Sequence, residues 1–581
     1  MLTDLPISFP RKRVSAWVTE TQPNDLKVWL GSLPMADSVA AAREVYQALY
    51  TLNRLELPVQ TRLKLMQLYR DSVGVISNAL QPPTQNNVLP VTPQKRQVVE
   101  FVRQLQMEMA HGYKLVLRDI ERVRFMWGKR QTNARALEWA IHYLGEVLCR
   151  SYQAYMACPR GVWRELHALY TYGETNKWFG EAESDTHPRA LSRYLRVLFL
   201  GLANPYQLPE TECRRVDRFL QRWVDESHLH NELAVSNPAG HFLLDLSVDA
   251  PPSPFPKDVS LKSSSHLRTL DALGLARRAQ SFINKLKKGE PAQSLDMGME
   301  CLDNACLDIL RRMVRFWGLG VRRQGSRKKR KGHCFVALGI NALHFFVSGQ
   351  ESFSPPDQTD SPANLEPGLD LDEFVSTQRE KSMDETYIDL AAGHDDAEAE
   401  EGASLADSLL AAGEVYRVDR WQIRDESMSG LLLASRTARG TRLRVGELLG
   451  IQDVSESDSW RVGVIRWLKT PSRNDIEMGV EMLSPSVAPV AVRRMEGGSG
   501  SAYMQALLLA PQHAIKRPAS LIIPRGAGQD DAPLLLAEVD GQPRQIKPIE
   551  VLEHTGSFEY IVFADLASHG DRTMDAQINL E

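Results

Sequence analysis

The 581-residue chain contains no apolar run long enough to cross a membrane as a helix. Its most apolar stretch, residues 334–347, is interrupted by His344 and is shorter than the roughly 20 residues that a membrane helix needs. That stretch is typical of a buried strand or hairpin instead. The N-terminus also lacks the apolar core followed by small residues that marks a secretory signal. We therefore expect a cytoplasmic protein without membrane insertion.

Cysteine pairs with metal-binding spacing are missing as well. The chain has six cysteines, but none forms a CxxC motif and no two have zinc-finger spacing. We expect all six to be reduced and structural, as is usual for a cytoplasmic protein. His228 and His230 could share a metal ion on one face of a strand, yet no further ligand is evident beside them. The sequence therefore predicts no bound metal and no cofactor.

Motifs that would indicate an enzyme are also absent. The sequence has no Walker A motif, no Rossmann glycine pattern and no GxSxG nucleophile elbow. The glycines and serines at residues 497–501 form a GGSGS turn instead. No nucleophile–base pair stands out, so we expect a protein that binds without catalysing a reaction.

A strong charge of one sign is missing from the average composition, although it is present locally. The formal net charge is −4, from 69 Lys and Arg against 73 Asp and Glu. Residues 351–410 hold seventeen acidic and two basic residues, so the rest of the chain carries +11. Residues 351–410 bury too little apolar surface to offset their ordering entropy, and we predict that they are disordered. The near-neutral average excludes a chain that coats nucleic acid along its whole length.

The densest basic cluster is RRQGSRKKRK at residues 322–331. Such a run can bind nucleic acid, but no aromatic side chains interleave with it to stack on bases. We therefore expect no nucleic-acid partner. The cluster is close in sequence to the acidic segment, which could screen it within the same chain.

Hydrophobic periodicity divides the chain into α and β parts. Apolar residues recur at helical spacing up to about residue 230, which predicts a mainly α-helical domain over 1–230. Short strands, a proline-rich linker and a helical connector are predicted over 231–318, and β segments dominate after about residue 415. We interpret the tryptophans of the helical parts as core residues, namely Trp127, Trp139, Trp163, Trp178 and Trp317. The predicted fold class is multidomain α+β.

Three motifs stand out in the second half of the chain. Arg323 and Arg327 form an RxxxR motif, and Asp425, Ser427 and Gly430 form a DxSxxG motif between two strand candidates. The third is the predicted hairpin VGVIRWLKTPSRNDIEMGVEML, which has a glycine inside its second strand. Together they resemble the motifs of the PilZ domain, a bacterial receptor for cyclic di-GMP. The resemblance covers about a fifth of the chain.

The resemblance implies a PilZ-like antiparallel β-barrel over 319–490, interrupted by a disordered acidic insertion at about 351–412. About a hundred residues separate the first two motifs here, which is more than the family usually has. Because the entropic cost of closing a loop grows slowly with its length, such an insertion is tolerable. Residues 491–581 are predicted to be a C-terminal β extension or a second small β domain.

The resemblance also implies a nucleotide-binding site for cyclic di-GMP. Its residues would be Arg322, Arg323, Arg327, Asp425, Ser427 and Gly430. A guanidinium can bind a phosphate bidentately or stack on guanine, and Asp425 can accept from guanine N1–H and N2–H. Ser427 can donate or accept, and Gly430 permits close backbone approach. In an alternative interpretation, Arg417 and Arg420 supply the basic contacts, although their spacing differs from RxxxR.

The sequence thus predicts a cytoplasmic second-messenger receptor for cyclic di-GMP that is not an enzyme. The signal would pass by domain rearrangement to an unidentified protein partner, held by the helical N-terminal domain. When the ligand is absent, the acidic insertion could take its place on the basic cluster at residues 322–331. One alternative is a non-catalytic interaction scaffold with a ligand-silent PilZ-like barrel. Another is a regulatory subunit of a polysaccharide or secretion machine.

Overall fold

A computed structural model provides the structure of the chain. It describes residues 2–11, 19–81, 89–179, 189–231, 233, 238–256, 264–292, 305–319, 327–356, 416–436, 442–454, 459–495, 502–512, 517–528, 532–538 and 541–566. Internal contacts divide the chain into two units, which are Met1–Gln324 with Lys469–Ser472, and Gly325–Leu468 with Arg473–Glu581. Most of the predicted insertion at 351–412 lies outside the described residues.

The first unit is built mainly from helices. Those that precede its first strand are α1 (Pro23–Ser32), α2 (Ser38–Leu52), α3 (Val59–Ala79), α4 (Pro93–Arg122), α5 (Lys129–Gln153), α6 (Val162–Thr175), α7 (Arg189–Leu202) and α8 (Glu210–Trp223). Asp37 caps α2 by accepting from two backbone N–H groups, and Thr92 caps α4. The long helices α4 and α5 pack along each other, with the rings of Tyr113 and Tyr143 stacked at 6.0 Å between centroids.

The predicted core tryptophans of this unit divide between core and surface. Trp163 and Trp317 are buried, while Trp139 and Trp178 are half-buried against the same core. Trp127 is 91% exposed, so the prediction of core packing is wrong for this residue. It lies in the short connection between α4 and α5, where no helical period sets the direction of a side chain.

A small antiparallel sheet and further helices complete the first unit. Its strands are β1 (His228–His230), β2 (His241–Asp245), β3 (Ser253–Pro254) and β4 (Leu267–Asp271), in the order β1-β4-β2-β3. The helices α9 (Leu273–Lys287) and α10 (Ala305–Met313) follow, and a π-helical turn, Val314–Leu319, ends this part. Trp317 Nε1 in that turn donates to the carbonyl of Phe199 in α7 at 3.3 Å.

Six antiparallel strands form a closed barrel in the second unit. They are β5 (Lys328–Leu338), β6 (Val418–Ser427), β7 (Gly430–Ser435), β8 (Leu448–Asp453), β9 (Arg461–Lys469) and β10 (Ile476–Ser484), in the ring order β10-β7-β6-β5-β8-β9. Trp421 and Ile423 alternate with more exposed neighbours along β6 and are fully buried, as expected for a strand with one face on the core.

The prediction of a strand or hairpin over 334–347 is wrong in its second half. Strand β5 ends at Leu338, and helix α11 (Gly339–Val347) follows it. Gly339 has φ +82°, a left-handed conformation that interrupts the extended chain at little cost for glycine. A short apolar run carries no period that distinguishes a helix from a strand, so the sequence alone could not separate the two.

A second closed barrel of six antiparallel strands follows the first. Its strands are β11 (Val487–Arg494), β12 (Met504–Leu509), β13 (Ser520–Pro524), β14 (Leu534–Glu538), β15 (Arg544–His554) and β16 (Phe558–Asp565), in the ring order β11-β12-β13-β16-β15-β14. With the helices of the first unit, the two barrels confirm the predicted multidomain α+β class with an antiparallel β-barrel.

The two barrels share a hydrophobic cluster. Leu343 of α11, Val462 of β9, Leu507 of β12 and Phe558 of β16 belong to the same buried cluster. At its edge, Arg466 Nη2 donates to Glu553 Oε2 at 2.8 Å and so joins β9 to β15. The two barrels are therefore packed as a single unit.

The structure bears on two predictions from the sequence, the reduced state of the cysteines and the lack of a membrane helix. Free thiols are present at Cys149, Cys158, Cys213 and Cys334. Cys306 is disulfide-bonded, so the prediction of six reduced cysteines is wrong, since sequence spacing alone does not show which thiols meet. Within the described ranges, no helix combines the length and apolar character that crossing a bilayer requires.

Candidate ligand-binding site

The start of β5 and the end of β6 meet at the predicted motifs. Antiparallel pairing sets Lys329 opposite Asp425 and Lys328 opposite Glu426. Arg327, one residue before β5, therefore lies beside Asp425. Its Nη1 donates to Asp425 Oδ1 at 2.9 Å and to Oδ2 at 3.1 Å. The two side chains keep 31% and 20% of their surface exposed, so an incoming ligand can reach both.

The DxSxxG motif forms a tight turn from β6 to β7. Ser427 pairs with Gly430 across the two-residue connection, and its Oγ donates to the Gly430 carbonyl at 3.2 Å. Asp425 and Ser427 are two residues apart on a strand, so their side chains share one face of the sheet. We call Arg327, Asp425, Ser427 and Gly430 the motif corner. It presents one guanidinium, one carboxylate and one hydroxyl to the same side.

Gly430 is required by the close approach of another strand. It pairs with Glu481 of β10. A Cβ at this position would lie 2.5 Å from the carbonyl oxygen of Val480, closer than real Cβ contacts occur. The neighbour is backbone within a barrel and has little freedom to move away. The motif glycine therefore serves the packing of the barrel directly beneath the motif corner.

A second group of charges lies next to the motif corner. Arg330 Nη1 donates to Glu426 Oε2, and Arg330 Nη2 donates to Asp453 Oδ2, each at 2.7 Å. Arg461 lies 3.7 Å from Glu426 and 3.9 Å from Asp453. The Asp453 side chain is only 5% exposed, so this carboxylate depends on its arginines for compensation. We call these four residues the charge cluster, and it ties β5 and β6 to β8.

Three family models match successive parts of the chain. They are the N-terminal domain of the cyclic-di-GMP receptor FimW over residues 24–234, its middle PilZ domain over 241–489 and the FimW C-terminal β-barrel domain over 490–566. Residues 241–489 therefore carry a PilZ domain. It is also 28% identical over 558 residues to the protein named cyclic-di-GMP receptor FimW of Pseudomonas aeruginosa, a match that spans 93% of this chain and 90% of that protein. The resemblance inferred from the sequence motifs is confirmed.

The PilZ barrel brings four of the six predicted site residues together in the motif corner. Arg322 and Arg323 lie outside the described residues, so their part in the site stays a prediction. The alternative pair, Arg417 and Arg420, is displaced along the strand. Arg420 pairs with Phe335 and is five residues from Asp425 in β6, which is about 17 Å at ~3.4 Å per residue. The geometry therefore favours Arg327 over Arg420 as the partner of Asp425.

The third motif of the PilZ barrel is the hairpin of β9 and β10. Its strand glycine, Gly479, packs under the ring of Trp467, and a Cβ there would lie 1.9 Å from Trp467 Nε1. A glycine in a strand interior is normally unfavourable, so its presence indicates a close approach of this kind. The motif thus reflects the packing of the barrel wall.

Sequence reasoning missed the charge cluster of the PilZ barrel. In the sequence, Arg330 stands out only as part of a basic run, and no motif marks Glu426. Asp453 joins them because β5 pairs with β8, with Cys334 opposite Asp453. The register between strands far apart in sequence cannot be derived from local patterns. The usable signal for Asp453 is that an acidic residue ends a strand-like apolar segment.

Replacing Arg330 with glutamine should destabilise the PilZ barrel. Asp453 would lose its 2.7 Å contact with Arg330, while Arg461 lies farther away at 3.9 Å, and an undercompensated buried carboxylate costs about 1–3 kcal/mol. A thermal unfolding scan of the full-length protein should show a lower midpoint. Arg436→Gln is the matched control, because Arg436 is 78% exposed and its pair with Asp475 should contribute little. Equal midpoints for the two variants would contradict the structural role of Arg330.

The chemistry available at the PilZ barrel is recognition by charge and hydrogen bonding. Across the described ranges, no group of three or more His, Cys, Asp or Glu side chains is placed to hold a metal ion. Burial raises the pKa of the nearby Cys334 thiol to about 12, so this thiol stays protonated at neutral pH. The motif corner offers a cationic donor for phosphate and an anionic acceptor for guanine N–H groups.

Proposed function

We propose that this protein is a receptor for cyclic di-GMP, which binds at the motif corner without being chemically changed. The observation that carries the proposal is the pairing of Arg327 with Asp425 beside the DxSxxG turn. A cyclic dinucleotide needs donors for two phosphates and acceptors for guanine N–H groups, and this pair supplies one of each. The relative named as a cyclic-di-GMP receptor supports the same assignment.

The ion pair also keeps the two side chains in place for a ligand. An exposed or half-exposed ion pair contributes only about 0–1 kcal/mol to stability. Exchanging it for contacts with the ligand therefore costs little free energy. A ligand phosphate would take the guanidinium of Arg327, and a guanine edge would take the carboxylate of Asp425. Arg322 and Arg323 would close over the second face of the ligand. Ser427 would supply a further hydrogen bond, and Gly430 would keep the approach open.

The signal would leave the barrel by domain rearrangement. Ligand phosphates would order the segment that carries Arg322 and Arg323, which is a known way for an anion to switch a protein. The helical N-terminal domain would then hold a protein partner and act as the output. The receptor would operate in the cytoplasm, and neither nucleic acid nor membrane insertion has a part in this mechanism.

Calorimetric titration of the full-length protein with cyclic di-GMP tests the proposed function. We expect saturable heat, and binding of cyclic di-AMP at least a hundredfold weaker. Adenine lacks the N1–H and N2–H donors that Asp425 would accept from, so a site that reads guanine must reject it. The absence of heat with cyclic di-GMP would favour the alternative, a non-catalytic interaction scaffold with a ligand-silent barrel. Equal binding of both dinucleotides would contradict the role of Asp425.

Removing the acidic segment should strengthen ligand binding. Residues 357–410 hold sixteen acidic and two basic residues and lie between α11 and β6 in the sequence. Their charge would compete with the ligand for the basic loop, so deleting them should lower the dissociation constant about three- to tenfold at low salt. A neutral Gly-Ser linker of equal length is the matched replacement. An unchanged dissociation constant with that linker would eliminate the competition.

A further inference from the structure

The turn between α4 and α5 exposes two large aromatic side chains. Phe125 is 86% exposed and Trp127 is 91% exposed, although each could contribute substantially to a core. We call residues 122–130 the aromatic turn. Large aromatics that are left this exposed at adjacent outward positions mark an interaction site more often than an isolated exposed apolar residue does. Neither residue belongs to the PilZ barrel or to its proposed ligand site.

The aromatic turn has a defined conformation that directs these side chains outward. Met126, between the two aromatics, packs against the helical core and accepts from Gln60 Nε2 through its sulfur at 3.3 Å. Lys129 Nζ donates to the carbonyl of Val123 at 2.7 Å, and Lys129 N–H donates to the carbonyl of Met126 at 3.2 Å. The turn thus satisfies several of its own backbone groups, and the exposure of the aromatics follows from its geometry.

The aromatic turn is also strongly cationic. Residues 122–130 read RVRFMWGKR, with four basic and no acidic residues. Glu121, just before the turn, is engaged by the Leu2 backbone N–H, which donates to its two oxygens at 3.0 and 3.1 Å. Arg122, Arg124 and Arg130 are all exposed. The turn therefore presents positive charge around its aromatic pair.

We propose that the aromatic turn binds the surface of a bilayer that contains anionic lipids. Tryptophan and other aromatic rings favour the boundary between lipid headgroups and acyl chains. Each Lys or Arg near an anionic bilayer strengthens binding about fivefold. Backbone groups that are already hydrogen-bonded can enter this boundary without a large desolvation penalty. The turn would lie within the headgroup region, and no helix would cross the membrane.

A protein surface fits the same residues less well. Hot-spot aromatics in protein interfaces usually stand at the centre of a broad patch, surrounded by contacts that exclude water. Phe125 and Trp127 are about nine-tenths exposed and so are not surrounded by other described side chains. The residues beside them are cations, which favour water or lipid headgroups. An anionic, deformable surface complements this arrangement of charge and ring.

Co-sedimentation of the full-length protein with vesicles tests this proposal. We expect binding to vesicles of phosphatidylcholine with 30% phosphatidylglycerol (roughly the anionic content at which surface attraction is strong) and little binding to phosphatidylcholine alone. The double variant Phe125→Ala, Trp127→Ala should lower the partition coefficient at least tenfold. Arg122→Gln with Arg124→Gln should lower it about five- to twenty-five-fold. Arg135→Gln, an exposed position of α5 outside the turn, is the matched control and should change it less than twofold.

The position of Trp127 relative to the acyl chains provides a second readout. Brominated acyl chains should quench part of the tryptophan fluorescence of the bound protein, and Trp127→Phe should remove that quenching while binding is retained. The exposed positions allow these variants to fold, which an unchanged unfolding midpoint would show. Absence of binding to the anionic vesicles would overturn the proposal, as would equal binding by the aromatic double variant. The dissociation constant for cyclic di-GMP should stay the same in every variant, so this test is separate from that of the proposed function.

Discussion

Replacing Arg327 with alanine should weaken binding of cyclic di-GMP by about ten- to a hundredfold. The guanidinium would make charge-assisted hydrogen bonds to a ligand phosphate, and such bonds contribute about 1.5–3 kcal/mol each. Removing Arg327 also frees Asp425 from its ion pair, which partly offsets the loss. The affinity of Arg327→Lys for cyclic di-GMP should lie between those of the unmodified protein and of Arg327→Ala, because a lysine keeps the charge but not the planar fork. Equilibrium binding of a fluorescent cyclic di-GMP to each full-length variant gives the comparison.

Arg420→Ala is the control for this result. Arg420 is an exposed arginine of β6, the strand that carries Asp425, but it pairs with Phe335 and not with the residues of the motif corner. Its removal changes the net charge as Arg327→Ala does, so any general electrostatic effect should be equal in the two variants. A larger loss in Arg420→Ala than in Arg327→Ala would mean that the alternative arginine pair is the one that binds.

Replacing Gly430 with alanine should damage both the stability of the barrels and the binding of the ligand. The added Cβ would lie 2.5 Å from the Val480 carbonyl oxygen, so β7 and β10 must move apart. Overpacking of this kind costs about 1–3 kcal/mol. At about 2–4 °C per kcal/mol for a unit of this size, the unfolding midpoint should fall by several degrees. The same movement would displace the turn that holds Asp425 and Ser427, so affinity for cyclic di-GMP should fall as well.

Gly556→Ala is the matched substitution in the same unit. A Cβ at Gly556, in the turn from β15 to β16, would meet no atom within 4 Å. Its effect on the free energy of unfolding should stay within about 0.5 kcal/mol, as is usual for surface positions. If Gly430→Ala had as small an effect, the close approach of β10 would not explain the motif glycine.

The motif corner was accessible from the sequence because each motif is local. RxxxR and DxSxxG contain the proposed ligand-binding residues and the glycine that the packing of β7 against β10 needs, so recognising them requires no knowledge of the fold. The pairing of β5 with β6 then brings Arg327 to Asp425, although 97 residues stand between them in sequence. Gly479 was a similar signal, since a glycine inside a predicted strand indicates a close approach.

Other features depend on long-range packing and were missed for that reason. Helix α11 lies within an apolar run, and its Leu343 is buried in a cluster with strands of both barrels, a long-range context that the run does not contain. The charge cluster needs the register of β5 on β8, which local patterns do not contain. Trp127 was predicted to be buried but is exposed. A tryptophan in a helical region is expected to pack in the core, and the sequence does not show that this one lies in a turn.

Hydrogen exchange of the full-length protein with and without cyclic di-GMP tests the central claim most directly, since it locates the ligand along the whole chain. We predict that saturating ligand slows exchange in peptides covering residues 320–331 and 425–430. Peptides around Arg420 should change much less, and Arg327→Ala should abolish the protection at ligand concentrations that saturate the unmodified protein. Protection confined to other segments, or no protection at saturating ligand, would contradict a receptor that binds cyclic di-GMP at the motif corner.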